Sequence, residues 1–353
     1  MEHKMDSMKM PIIPYLMFRE WHDPRSGLVT WASPPMLSTG YAAVQNRPAL
    51  LIATHMLKNY RTRVTANYEM LRLSVEYINR DYQNLVCLTQ KADNWVSSAE
   101  FRQRPFPLRF QPQKDSSVIL FKGKKYSIVK SDLTGGNWFQ YSDTNADFPV
   151  TWFNKLKPSS EITIPLAYVI PAEYATLVVP WLQNHGIKYN VLEKTFKGEV
   201  GTYRFSNVSI SSRTSEGRQK VSDFELEEIT QEREYLPGSI VIPTDQRTAR
   251  IICHIFEPKG PDSFISWGYL NAIFEQKEYG ESYVLEKLAR QMLAADTSLK
   301  RRFDEKMKLD KEFASDPEEI LNWFYNQSVY HDFRVNLYPF GKILSEKDLT
   351  FLE

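Results

Sequence analysis

MLSTGYAAVQNRPALLIATHMLKNYRTRV, residues Met36 to Val64, is the stretch whose reading decides the fold. Ser38-Thr39-Gly40-Tyr41 is small, polar and Gly-containing, which reads as a turn. Pro48 then opens the apolar run Ala49-Leu50-Leu51-Ile52-Ala53, and Thr54-His55 closes it in two polar residues. Pro is tolerated at the first residue of a strand, and nothing polar interrupts the run. The pattern therefore predicts a strand buried on both faces. Alternation would put Leu51 and Ala53 on one face and Leu50 and Ile52 on the other. In an α/β sheet the chemistry sits at the carboxyl ends of such strands, here Ala53, Thr54 and His55.

Downstream of this run, neither Gly nor Pro occurs between Pro48 and Pro105. Val64, Tyr68, Leu71, Val75, Ile78, Tyr82 and Leu85 alternate spacings of four and three, which predicts one face of a long helix starting near Tyr60. Such spacing fits a coiled-coil seam or a helix laid on a sheet. Met70 and Leu73 widen the stripe beyond a strict seam, so a helix on the sheet is expected.

The composition bounds the class. At 353 residues the chain can hold two domains with a core each, and 42% hydrophobic with 25% charged residues is ordinary globular composition. Lys+Arg 44 against Asp+Glu 43 leaves no electrostatic footprint for nucleic acid or an anionic membrane. Two cysteines, Cys87 and Cys253, give no disulfide framework. The first residues, MEHKMDSMKMPII, lack the apolar core of a signal peptide, and no run approaches the ~18–20 apolar residues of a membrane span. A soluble chain is expected.

Taken in order, PIIPYLMFREW (11–21) reads as a strand, and His22 to Gly27 as a turn. Because an apolar strand begins so abruptly, the chain is expected to be the C-terminal part of something longer. Residues 97–116 have the Pro and charge content of a linker. Strands are expected at 118–121, 125–128, 162–169, 187–192, 203–210, 224–229 and 238–243. A helix over about 171–186, kinked or broken at Pro180, would make the unit around it a parallel βαβ crossover. Thr248 to Phe256 reads as a short helix. From Ser263 the pattern is mostly helical, with Asp316-Pro317-Glu318-Glu319 as a helix start.

The pattern S-T-G-Y, N-R-P, an apolar strand and T-H-M-L-K resembles the closing strand of zinc carboxypeptidases of the carboxypeptidase A-like family, in particular bacterial members with a long C-terminal extension. Pieces of the likeness continue through Thr244 to Arg250, Pro261 to Phe264 and Asn271 to Tyr279. The resemblance implies an α/β fold: residues 1–96 as the end of a mixed-sheet carboxypeptidase-like domain, 97–116 as linker, 117–262 as an α+β extension and 263–353 as a helical C-terminus. In that family the strand ends in a glutamate acting as general base on a zinc-bound water. Ala53 stands at that position, and a methyl group accepts no proton. Ser38, Thr39, Gly40 and Tyr41 match the loop lining the pocket for the substrate's C-terminal side chain, and His55 is a further substrate-binding candidate. The implied activity is zinc-dependent hydrolysis of peptides from the C-terminus, and such enzymes are often secreted or periplasmic.

Catalytic zinc needs three protein ligands and an open position for water. Among the six histidines, only His254-Ile255-Phe256-Glu257 spells H-x-x-E, and it lies downstream of the central strand, in the wrong order for the family. Zinc is thus implied by resemblance while its ligand set is missing from this chain, with the rest expected in an absent N-terminal part. Gly135-Gly136 and Lys122-Gly123-Lys124-Lys125 do not have phosphate-loop spacing and read as turns. Cys253 and His254 are sequence neighbours, which point about 100° apart on a helix and do not make a nucleophilic pair. The expectation is a carboxypeptidase-like protein inactive as this chain. The alternative is a non-catalytic module holding a peptide, a glycan or a partner chain.

Overall fold

A computed structural model describes the chain except residues 16, 21, 22, 57, 278 and 350–353 and the side chains of residues 24 and 348. It is a mixed α/β protein in two units. One comprises Met1–Val200, Glu232–Trp267 and Phe340–Glu353; the other comprises Gly201–Gln231 and Gly268–Pro339. Among the described residues no helix is long and apolar enough to cross a membrane.

The first unit opens with helix α1 (Glu2–Ser7) and the antiparallel strands β1 (Met17–Glu20) and β2 (Asp23–Val29). Of the strand expected over 11–21, only the last residues form one. Pro11 and Pro14 carry no N–H to give a ladder, and residues 11–15 are irregular. The turn expected over 22–27 is instead strand β2, with Gly27 at φ 104°; Trp21 and His22 lie outside the described residues.

Helix α2 (Ser38–Val44) stands where a turn was expected. It closes in a Schellman motif: the Arg47 N–H donates to the Ala42 carbonyl at 2.8 Å and the Asn46 N–H to the Ala43 carbonyl at 3.1 Å. Asn46 takes the left-handed position at φ 60° that this closure requires. The apolar run that follows is not a strand. Residues 47–55 are irregular, and Leu50 and Leu51 are 56% and 49% exposed, so the expected central buried strand is corrected. The run holds a single β-branched residue, Ile52, and Ala and Leu give a pleated ladder little preference. Ile52 does pack inward, against Met5, Met70 and Leu73.

Helix α3 (Tyr60–Val96) is the long helix that the spacing predicts, 37 residues with a non-helical Asp81 at φ −121° and ψ 19°. The Asn59 side chain caps its start by accepting from the Thr62 N–H at 2.8 Å. The face it buries is not the expected one. Met70 and Leu73 are buried, whereas Val64, Tyr68, Leu71, Val75, Ile78 and Tyr82 are exposed. The helix therefore does not lay this stripe on a sheet. Its far end is tied down by Val96, which packs with Phe101, Phe106 and Cys253.

Residues 97–116, linker-like in composition, carry helix α4 (Ala99–Arg102) and strand β3 (Phe106–Pro112). Then come β4 (Ser117–Lys130), β5 (Asn137–Phe153) and β6 (Leu156–Ile162). β4 and β5 form a long hairpin, β2 lies parallel to β5, and β3 pairs antiparallel with β6. The strand expected over 162–169 divides between the end of β6 and β7 (Ala167–Ile170). Next are helix α5 (Ala175–His185), β8 (Asn190–Val191), β9 (Phe196–Ile210), β10 (Val221–Tyr235), β11 (Ile240–Pro243) and helix α6 (Ala249–Phe256).

α5 continues through Pro180 without the expected break and ends on Gly186 at φ 65°. β7 and β8 both pair antiparallel with β11, so they run in the same direction as a βαβ unit demands, with β11 inserted between them. β7 and β11 are the buried heart of this unit. Ala167, Val169 and Val241 share one cluster with Phe196 and Ile343. Tyr168, Ile170, Ile240 and Ile242, at most 2% exposed, point to the opposite face, where Tyr168 stacks on Phe256.

In the second unit, helices α7 (Ser282–Ala295), α8 (Thr297–Leu309), α9 (Lys311–Ser315) and α10 (Pro317–Tyr325) surround Ala289, Leu299 and Phe324. Asp316 caps α10 as expected, accepting from the N–H groups of Glu318 and Glu319. β12 (Gly341–Ile343) then returns to the first unit and pairs with β7, and α11 (Glu346–Leu349) follows it.

Candidate functional site

The residues expected to form the site do not converge. Ala53 is exposed on the irregular run, and His55, also exposed, lends its carbonyl to the Lys58 N–H. Ser38 to Tyr41 belong to α2. Gly40 does permit close approach, but to the chain itself. A Cβ there would meet the Pro34 carbonyl oxygen at 2.1 Å and that of Ser33 at 2.5 Å. Thr39 is bound locally, its hydroxyl donating to Ser33 Oγ at 3.0 Å.

Tyr41 leads to a different arrangement. Its hydroxyl lies 3.0 Å from His185 Nδ1, and Gln45 Nε2 donates to the same hydroxyl at 3.0 Å. The Tyr41 hydroxyl and His185 Nδ1 share one hydrogen bond, whose direction follows the imidazole tautomer. Burial lowers the His185 pKa and favours the neutral ring. Arg247 donates to Gln45 Oε1 at 3.0 Å and so fixes the amide. A polarised chain runs from guanidinium to amide to phenol to imidazole.

The Schellman closure of α2 sets the second half. Asn46 Nδ2 donates to Asp93 Oδ1 at 3.1 Å and to the Arg247 carbonyl at 3.0 Å. Arg47 forks onto both oxygens of Asp93 at 2.9 Å each. These bonds, with the Arg47 pair foremost, hold the Asp93 carboxyl below its usual range.

Beside this network lies a cleft of about 620 Å³. Its walls are the last turns of α3, with Gln90, Asp93 and Asn94, the segment 186–190 after α5, and the turn 243–247 after β11. Lys188 and Arg247 bring positive charge to it, and Asp93 and Asp245 bring negative charge. Gln90, Asn94 and Asn190 add carboxamides that can donate and accept, whereas the Gln246 amide is occupied by Lys188, Pro243 and Thr248. The volume falls within the range of small-ligand sites. Gln246 is itself held in place, accepting from the Lys188 N–H at 2.8 Å and donating to the Pro243 carbonyl at 2.6 Å.

The H-x-x-E pair is spent on the core. Glu257, 1% exposed, accepts from the Tyr168 hydroxyl at 2.6 Å. His254 packs edge-on to Phe106, and burial with the nearby Arg109 charge lowers its pKa to about 4. Burial also raises the Cys253 thiol pKa, so this cysteine is no nucleophile. Among the described residues no group of three or more His, Cys, Asp or Glu stands ready to hold a metal ion.

Sequence reasoning missed Gln45, Asn46, Arg47, Asp93, His185, Lys188 and Arg247 as a group. The visible signal was Asn46-Arg47 directly after an amphipathic segment, an Asn in the place where helices close. Its partners are up to 201 residues away. The fold and cleft define a mixed α/β protein with a surface cleft carrying both signs of charge. No protein-family model matches the chain, and no curated protein and no solved structure matches it either.

Proposed function

We propose that this chain is a carboxypeptidase-like protein that binds peptides without hydrolysing them, and that the ligand occupies the cleft walled by Gln90, Lys188 and Gln246. The observation that carries this reading is the cleft itself, about 620 Å³ and lined by carboxamides, with Lys188 and Arg247 beside them. Carboxamides complement a peptide backbone, and a lysine ammonium complements a terminal carboxylate. That the chain does not hydrolyse them rests on the resemblance, in which Ala53 stands where the family has a glutamate and a methyl group accepts no proton. It rests also on Glu257 and His254, whose side chains are committed to Tyr168 and Phe106.

The test is calorimetric titration of the whole chain with short peptides bearing a free C-terminus, their amidated counterparts, and an oligosaccharide. The free-acid peptide binds with a Kd on the order of 10–100 μM, and amidation or Lys188→Ala weakens it by roughly 10-fold. Zinc added to the mixture produces no cleaved peptide by mass spectrometry. Hydrolysis above background overturns the non-catalytic part. Binding of the oligosaccharide in place of the peptide overturns the ligand class.

A further inference from the structure

Among the described residues of the first unit, none covers the apolar stripe along α3. Val64, Tyr68, Leu71, Val75, Ile78 and Tyr82 are 49–64% exposed and keep a strict four-three spacing. A straight helix has 3.6 residues per turn, so this 3.5-residue repeat stays in line only against a supercoiling helix. The face the helix does bury, Met70 and Leu73, follows neither seam position of that repeat. The helix thus has two apolar faces, one used within the unit and one free of it. We propose that the free face is a self-association surface and that its occupant is the same helix of a second copy of this chain.

Three observations favour a second copy over a foreign helix. The first is the flanks. Thr65, Arg72 and Asn79 run along one side of the seam and Asn67, Ser74 and Asp81 along the other. Flanking charges select partners in helix pairs, and here one charge of each sign neither repels an identical helix nor singles out a strongly charged one. Arg72 is moreover already paired with Glu69 and Glu76 on its own helix. The second is area. Six side chains at these exposures offer roughly 600–700 Å² per chain, close to the ~800 Å² per partner of a standard interface. The third is rigidity. Met5, Met70 and Leu73 hold the segment of α3 before the kink at Asp81, so the surface they back is ordered before association and pays little entropy on pairing. The non-helical Asp81 sits on the flank, outside the seam, and Val64 to Ile78 precede it on one uninterrupted helical segment.

The experiment is sedimentation equilibrium of the whole chain from ~1 to ~100 μM, the range in which an interface of this area is expected to form. The chain sediments as a dimer at the upper end. Val75→Glu with Ile78→Glu places two charges in the seam and weakens association by roughly 100-fold or more, leaving a monomer. Both positions are exposed, so far-UV circular dichroism and melting temperature stay as in the parent chain. Gln83→Glu, on the same helix but off the seam, remains a dimer. Tyr68→Lys, a single charge at the seam, gives an intermediate shift. A parent chain that is monomeric at ~100 μM overturns the proposal, as does a folded double variant that associates like the parent.

Discussion

Two short apolar runs meet opposite fates in this molecule. Ala49-Leu50-Leu51-Ile52 follows a proline and lies irregular and largely exposed, whereas Ile240-Val241-Ile242 precedes one and is buried in a sheet. Hydrophobicity is much the same in both, so it does not explain the difference. The second run is β-branched throughout and has a neighbour on each side, Tyr168 to Ile170 on β7 and Asn190-Val191 on β8. Its N–H and C=O groups are thereby satisfied on both edges, and its side chains fill both faces. The first run has mostly Ala and Leu and follows a helix closed so firmly at Asn46 that the chain leaves in a fixed direction. A strand is a property of its neighbours as much as of its residues.

The largest test of this contrast is a buried charge in each run. Ile242→Asp, at a site 0% exposed, should cost about 4 kcal/mol or more and leave little folded protein. Leu50→Asp, at 56% exposed, should stay within about 0.5 kcal/mol in urea denaturation. Equal losses would mean that the first run is a hidden strand after all.

A smaller effect sharpens the buried side of the comparison. His254, on α6, has its pKa lowered to about 4 by burial and by Arg109. An unfolded chain takes up the proton near pH ~6.5, which the folded chain refuses until pH about 4. Stability is therefore complete above the unfolded value and falls as pH drops through this window, by on the order of 3 kcal/mol. His254→Leu should flatten that slope, measured as unfolding midpoints across the window. An unchanged slope would show that another group carries it.

The smallest effect concerns the helix that precedes the exposed run. Gly40→Ala drives a methyl group into the Pro34 and Ser33 carbonyls, so it should cost about 1–3 kcal/mol by thermal melting. Loss of that magnitude would show α2 locked while the residues after it are not. A neutral outcome would extend the loose character of the run back into α2.

Much of the architecture was legible where local chemistry decides. The four-three spacing and the absence of Gly and Pro gave α3 its existence and near boundaries, Asp316-Pro317 gave the start of α10, and Thr248 to Phe256 gave α6. The candidate site was hardly legible. Tyr41 was singled out for its wall-like ring and turned out to be one link in a chain from Arg247 to His185. Gly40 was read for close backbone approach to a ligand, and the structure sets the Pro34 and Ser33 carbonyls against it.

What the sequence by itself determined is what depends on neighbours within one or two helical turns: caps and periodicity. What the tertiary structure alone decided is which apolar face meets protein and which meets solvent. Met70 and Leu73 are buried because α1 and Ile52 arrive beside them, and Val75 and Ile78 are exposed because nothing within the first unit does. Burial is a relation between segments distant along the chain, and the free energy of removing apolar surface from water is the same whichever face is chosen. Periodicity can therefore announce a face, and the arrival of a partner selects it.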